Sequence, residues 1–271
     1  MQGDLDTKSE QTIIRAAKNL NRSHAAKSYR IAMLLTPTVL ITGASAGIGR
    51  ATALVLAQAN ATVIATARNN EALLELSRAC AEMGQPIRTL AGDLNDSDFI
   101  RALTLFAGEV DILINNAGVL TYAPILEIQP DDYVAMFNTN VFATLALTQA
   151  IAQGMLARGR GHLIMVTSTG AREVFPFAGA YCASKHAISA ITRSLRLELQ
   201  PKGIRVSEVA PGLVDTQIRK NNNHPEVLAA QAQRKTVPLT VDDVANTIAH
   251  VALSKAPSGS LDFIELRPFI N

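Results

Sequence analysis

Thr38-Val39-Leu40-Ile41-Thr42-Gly43-Ala44-Ser45-Ala46-Gly47-Ile48-Gly49 is the stretch that decides the fold. Val39–Thr42 is short and almost continuously apolar, as expected of a strand buried on both faces. A glycine turn follows, and then a helical period with Ile48, Ala51 and Val55 on one face. Strand, glycine turn and helix in this order form the setting in which the pyrophosphate of a dinucleotide is held. Gly43 and Gly47 let the backbone turn tightly and let an anion approach. Gly49 is expected to let the helix pack closely on the sheet. The first amides of the helix then point at the anion.

Outward from this stretch the same alternation continues. Strands are expected at Val39–Thr42, Thr62–Ala67, Ile87–Leu90, Ile112–Ile114, Leu163–Thr167, Val206–Val209 and Phe263–Leu266. Between them lie helical periods, such as Ile188, Ile191, Leu195 and Leu199 on one face. This pattern predicts an α/β fold: a single doubly wound Rossmann-type domain over residues 37–271, with a mostly parallel seven-stranded sheet and helices on both faces. Residues 1–36 differ. Beyond Glu10 they carry Arg15, Lys18, Arg22, Lys27 and Arg30 but no acid, and they read as a poorly ordered extension. Lys27 and Arg30 ahead of Ile31–Leu35 imitate a signal peptide, but Pro37 interrupts the apolar run and cleavage there would remove the first strand.

Composition excludes several classes. Of 271 residues, 48% are hydrophobic and 18% charged, which rules out wholesale disorder. A net charge of +2 gives no reason to expect a nucleic-acid partner. No unbroken run of about 18 apolar residues suggests a membrane span. Cys80 and Cys182, the only cysteines, offer neither a disulfide framework nor metal-ligand spacing, so no metal is expected and a cytoplasmic location fits.

Tyr181-Cys182-Ala183-Ser184-Lys185 is the sharpest chemical feature. Residues i and i+4 share a helix face. A phenol ionises near pH 10, too high for neutral chemistry, and a neighbouring ammonium is expected to lower that value. Such a pair can donate or accept a proton. At the end of the second strand, Arg68 stands beside Ala67, where an NAD site would carry an acid for the ribose hydroxyl. A guanidinium pairs instead with a 2′-phosphate, which points to NADP (NADPH), with NAD less favoured. Arg50 is a further basic residue nearby, read as a helix-surface group.

The glycines at 43, 47 and 49 form a TGxxxGxG pattern. Asn115-Asn116-Ala117-Gly118, Tyr181-x-x-x-Lys185 and Pro211-Gly212-Leu213-Val214-Asp215-Thr216 follow in order. With these motifs the chain resembles the short-chain dehydrogenase/reductase family over about residues 38–268. The resemblance implies a catalytic set of Asn140, Ser168, Tyr181 and Lys185. Ser168 stands thirteen positions ahead of Tyr181 and is favoured over its neighbours Thr167 and Thr169 by that separation. Asn140, favoured over Asn138, would hold a water that refills the proton through Lys185. The implied cofactor contacts are Gly43, Ser45, Gly47, Ile48, Gly49, Arg68, Asp93, Leu94, Asn116, Ala117, Gly118, Tyr181, Lys185, Pro211, Gly212, Val214 and Thr216. Asp93 would accept from the adenine amine, Asn116 would brace the sheet, and Val214 and Thr216 would hold the nicotinamide carboxamide.

The implied reaction is hydride transfer between NADPH and a carbonyl or secondary alcohol of a small substrate. Leu120, Tyr122, Phe175 and Phe177 are candidates for the substrate pocket, and segment 217–237 for a cover. His186 and His224 read as ordinary polar residues. The ending Leu261–Pro268 resembles family branches acting on serine or 3-hydroxy acids. It lacks the Asp-Gly-Gly ending of ketoacyl reductases, which leaves a 3-ketoacyl thioester reductase as an alternative. A catalytically silent NADP sensor or scaffold is the other alternative, disfavoured because all four catalytic positions are filled. A homodimer or homotetramer built on the helices after Asn138 and Tyr181 is the family's usual assembly.

Overall fold

The computed structural model describes residues 36–219, 224–233, 235–254 and 259–269. The expected N-terminal extension, residues 1–36, therefore falls outside the described residues apart from Thr36. The first half runs β1 (Thr38–Thr42), α1 (Gly47–Gln58), β2 (Thr62–Ala67), α2 (Asn70–Glu82), β3 (Arg88–Ala91), α3 (Ser97–Ala107) and β4 (Ile112–Asn115). The second half begins with α4 (Pro130–Phe137), which passes through a π-turn (Asn138–Ala143) into α5 (Thr144–Arg158). It continues with β5 (Gly161–Val166), α6 (Gly179–Leu199), β6 (Ile204–Pro211), α7 (Pro225–Ala232), α8 (Val241–Leu253) and β7 (Phe263–Leu266).

The seven strands form one sheet in the order β3-β2-β1-β4-β5-β6-β7. Every pair is parallel. The chain order reverses between β1 and β4, so a crevice opens at the carboxyl ends of those strands. Alternation along β1 explains the two layers. Val39 and Ile41 face one core with Leu56, Leu73, Leu76 and Ile248. Leu40 faces the other with Leu103, Leu147, Met155 and Leu199. Each fully buried aliphatic side chain contributes about 1.5–3 kcal/mol.

Helix starts are written in side chains. Asn69 accepts from the Ala72 N–H at the head of α2, and Asp96 accepts from the Asp98 N–H at the head of α3. Thr240 and Asp243 form a reciprocal capping box on α8. α1 differs: Ala46 precedes it and supplies no side-chain cap. Its first amides stay available to an anion.

Two sequence expectations need adjustment. β3 lies one residue later than expected, and β5 ends at Val166, so Ser168 sits beyond the strand at the head of a 3-10 turn, Thr169–Ala171. The continuous helical stretch Pro130–Arg158 is long and apolar enough, by length and composition, to cross a membrane. It is not an unbroken apolar run, since Asn138, Thr139 and Asn140 interrupt it. Leu147, Ile151 and Met155 of this stretch are buried within the second core layer.

Candidate active site

The glycine turn closes on the segment after β4. Gly43 has φ +66°, and a Cβ there would lie 2.8 Å from the Ala117 Cα. A Cβ on Gly49 would lie 2.4 Å from the Gly43 carbonyl oxygen and 2.5 Å from Asn116 Nδ2. The third glycine thus serves the turn's approach to itself and to Asn116, rather than packing of the helix on the sheet. Thr42 ties the two segments together: its Oγ1 accepts from the N–H groups of Asn116 (3.0 Å) and Ala117 (2.9 Å). Asn116 Nδ2 returns a hydrogen bond to the Thr42 carbonyl (3.0 Å), so this side chain is a brace.

The result is a cleft of ≈ 380 Å³, whose walls include Gly43, Ser45, Gly47, Ile48, Arg68, Asp93, Leu94, Asn116, Ala117, Gly118 and Thr216. The expected cofactor residues of the first half are thereby gathered, except that Gly49 lies behind the turn. Arg68 stands at the end of β2, on the cleft wall. Arg50 does not line it; its charge acts instead on buried Cys80. Asp93 Oδ1 accepts from the Asn95 backbone N–H and from Asn95 Nδ2, both at 2.9 Å, which fixes the loop after β3.

A second cavity of ≈ 400 Å³ adjoins the first, and the two share Ile48, Asn116, Gly118, Thr216 and Ile218 on their walls. Ser168, Tyr181, Lys185, Pro211, Gly212 and Val214 line this second cavity. Loop 212–216 is pinned from two sides. The Gly212 N–H donates to the Leu266 carbonyl (2.8 Å), and Val214 bridges Leu239 in parallel. Leu120, Tyr122 and Phe175 line the cavity as expected, but Phe177 does not. Phe177 adopts φ +65° and its carbonyl accepts from the Ala123 N–H, which makes it a loop-shaping residue. Of the expected cover, Ile218 and Thr236 contribute to the walls. Residues 220–223 and 234 of that segment fall outside the described residues. His224 pairs with Glu127 (3.1 Å), and His186 hydrogen-bonds the Cys182 carbonyl within α6.

Tyr181 and Lys185 lie on one face of α6, with Lys185 Nζ 5.7 Å from the centre of the Tyr181 ring. Ser168 Oγ accepts from the Gly170 N–H (3.0 Å) and its side chain also hydrogen-bonds Tyr181. Lys185 Nζ donates to the Val166 carbonyl (3.2 Å). The expected acidification of the phenol is not what the structure gives. Burial dominates and holds the Tyr181 phenol above its ordinary range; the Ser168 hydrogen bond opposes this, and the nearby Tyr122 adds to it. Desolvation disfavours any charged form, so the same burial lowers the Lys185 ammonium to about 8, against the opposing charge of Glu208.

Asn140 sits in the π-turn between α4 and α5. Its Oδ1 accepts from the Val119 N–H (2.8 Å), and its Nδ2 donates to the Val119 carbonyl and to Ser184 Oγ, both at 3.0 Å. The side chain joins the loop after β4 to α6. Gly118 lies against both Asn140 Oδ1 and Lys185 Nζ.

Three charged residues of this region were not singled out by sequence. Glu173 and Arg267, paired with each other, stand at the rim of the second cavity. Glu208 lies fully buried in β6. A lone acid among the strand residues Val206, Val209 and Ala210 was the available signal. Among the described residues no cluster of three His, Cys, Asp or Glu could hold a metal ion.

Comparison with known proteins agrees with this architecture. The short chain dehydrogenase family profile matches residues 37–227. L-xylulose reductase of Cavia porcellus is 35% identical over 77% of this chain and 86% of its own length. NADP-dependent 3-hydroxy acid dehydrogenase of Schizosaccharomyces pombe is 33% identical over 78% of this chain and 85% of its own. A glycine betaine reductase of Emericella nidulans is much longer: the chain spans 18% of it, at 33% identity over 84% of this chain. The closed form of serine dehydrogenase complexed with NADP+ superposes with a TM-score of 0.78, at 28% identity over 85% of this chain and 94% of that one. The chain belongs to the short-chain dehydrogenase/reductase family of oxidoreductases.

Proposed function

We propose that the protein is an NADP-dependent reductase or dehydrogenase acting on a carbonyl or secondary alcohol of a small molecule. The observation that carries this reading is the placement of Ser168, Tyr181 and Lys185 in a cavity continuous with the glycine-lined cleft. The L-xylulose reductase, the 3-hydroxy acid dehydrogenase and the serine dehydrogenase act on molecules of this size by their names.

The cleft fits a dinucleotide. The uncapped amides at the head of α1 and the close Gly43 turn leave room and donors for a pyrophosphate. Arg68 would take the 2′-phosphate, Asp93 and Leu94 the adenine, and Asn116, Ala117 and Gly118 the adenosine side. Pro211, Gly212, Val214 and Thr216 would take the nicotinamide end. When bound, the dinucleotide supplies or accepts the hydride. The protein's side chains move the proton. Tyr181 donates it to the carbonyl oxygen in reduction and removes it in oxidation. Ser168 holds that oxygen within reach of the phenol. Lys185 supplies positive charge beside the phenol and would hold the ribose hydroxyls of the dinucleotide. Asn140 keeps Lys185 connected to a proton source through water. Burial disfavours the phenolate by itself, so this role requires the positive charge of Lys185 and of the oxidised ring.

We also propose a homodimer or homotetramer through the helices after Asn138 and Tyr181, on which Phe142 and Leu197 are exposed. A reducing, cytoplasmic setting suits two free, buried cysteines. The deciding experiment follows absorbance of NADPH and of NADH against a panel of ketoses, ketones, hydroxy acids and serine. Turnover with NADPH, at least about tenfold better in kcat/KM than with NADH, is the expected result. Tight NADPH binding with no turnover across the panel would replace the enzyme with a sensor.

A further inference from the structure

Glu208 sits in the middle of β6 with no exposed surface. A buried carboxylate is costly, and an aliphatic residue at this place would pack at less expense. Both of its oxygens are nonetheless engaged. Thr167 Oγ1 donates to one (2.9 Å) and Ser189 Oγ to the other (3.1 Å). Thr167 is the residue before Ser168. Ser189 lies one turn beyond Lys185 on the same face of α6. Lys185 is itself buried, and the carbonyl that receives its ammonium, Val166, is the register partner of Val209, the next residue after Glu208. Two cations bear on the carboxylate among the described residues: Lys185 of α6, whose ammonium feels its charge, and Arg172 from the segment after β5. Arg172 lies 3.7 Å from Oε2, with its guanidinium stacked 3.6 Å over the Phe263 ring of β7.

We propose that Glu208 is a positioning residue: the fixed counter-charge beneath Lys185, held by the Thr167 and Ser189 hydroxyls, which keeps that ammonium protonated and seated beside Tyr181. The direction of its effect agrees, since the carboxylate opposes the fall in Lys185 basicity that burial causes. The catalytic consequence rests on the role proposed for Lys185. The ionisation of Lys185 does not.

The test therefore begins with the protein alone. Lysine ε-carbons are labelled with ¹³C, and the Lys185 resonance is assigned by its loss in Lys185→Met. In Glu208→Gln, which keeps the shape and removes the charge, the Lys185 titration midpoint is expected to fall by about 1 pH unit or more. Ser189→Ala, which removes a hydrogen bond and keeps the charge, is expected to leave it nearly in place. An unmoved midpoint in folded E208Q overturns the proposal, as does an equal shift in S189A. Should E208Q not fold, Glu208→Met, which also removes the charge, reads the same resonance, and an unmoved midpoint there is equally decisive. The alkaline limb of NADPH-dependent reduction of 2,3-butanedione should then move acidward with the midpoint in E208Q. A shifted resonance without any reduction would sustain the counter-charge and count against the enzymatic reading instead.

Discussion

The two halves of the cleft are made of different materials. The nucleotide half is a backbone device: a glycine turn, open amides at the head of α1, and the Thr42–Asn116 brace that holds the two together. The chemical half is a device of polar and ionisable side chains, with half-buried Tyr181 and buried Lys185 and Glu208 around the end of β5. Shape governs the first and desolvated charge the second. Added atoms should therefore damage the nucleotide half, whereas lost protons or lost charges should damage the chemical half.

The largest separation of the two is expected from Tyr181→Phe. Removing the phenolic oxygen should lower kcat by about 10³-fold or more while NADPH affinity, read by fluorescence titration, changes by less than about threefold. Near-normal turnover would remove the proton role. Gly49→Ala attacks the other half. Its added carbon meets the Gly43 carbonyl and Asn116, so urea unfolding should show a loss of about 3 kcal/mol, with dinucleotide binding weakened beyond the change in stability.

A pH scan sharpens the contrast without touching the cleft. His162 is buried and neutral, hydrogen-bonded to Ser207, and burial together with Arg205 lowers its pKa to about 3. The unfolded chain takes up that proton near pH 6.5, so this contribution to stability is complete above 6.5 and is lost as pH falls toward 3. At pH 5 the loss from this group is about 2 kcal/mol. Replacing it by His162→Gln should flatten the acid slope of urea midpoints between pH 7 and 5; an unchanged slope would assign it to other groups. The smallest effect is expected at the exposed edge. Arg68→Ala should raise KM for NADPH by about tenfold with little change for NADH. Equal effects on both cofactors would remove Arg68 from 2′-phosphate recognition.

What could be read in sequence follows the same division. The strands were legible because parallel strands covered on both faces need uninterrupted apolar runs, and the glycine turn because its backbone geometry admits few alternatives. Tyr181 and Lys185 were legible because a helix fixes their spacing. The sign of their environment was not: the i, i+4 relation brings the ammonium near, but says nothing of the burial that raises the phenol. Long-range pairings were equally hidden. Glu208 finds Thr167 and Ser189 only after β5, β6 and α6 assemble. Arg267 meets Glu173 across the mouth of the cavity from the last described segment. Phe177 was misplaced because its left-handed backbone turns the chain in a way that an aromatic residue does not advertise.

The π-turn at Asn138–Ala143 has a consequence for how this chain can vary in length. Such a turn accommodates one residue more than a regular helix of the same rise. Deleting a single position there would return the helix to uniform geometry and swing its earlier part by about 100° against its later part. Asn140 would then leave Val119 and Ser184, and the link between the post-β4 loop and α6 would open. The surplus residue is thus a spacer whose removal would tidy the helix and uncouple two walls of the cleft, so insertions and deletions should be borne far better in the surface loops than at this point.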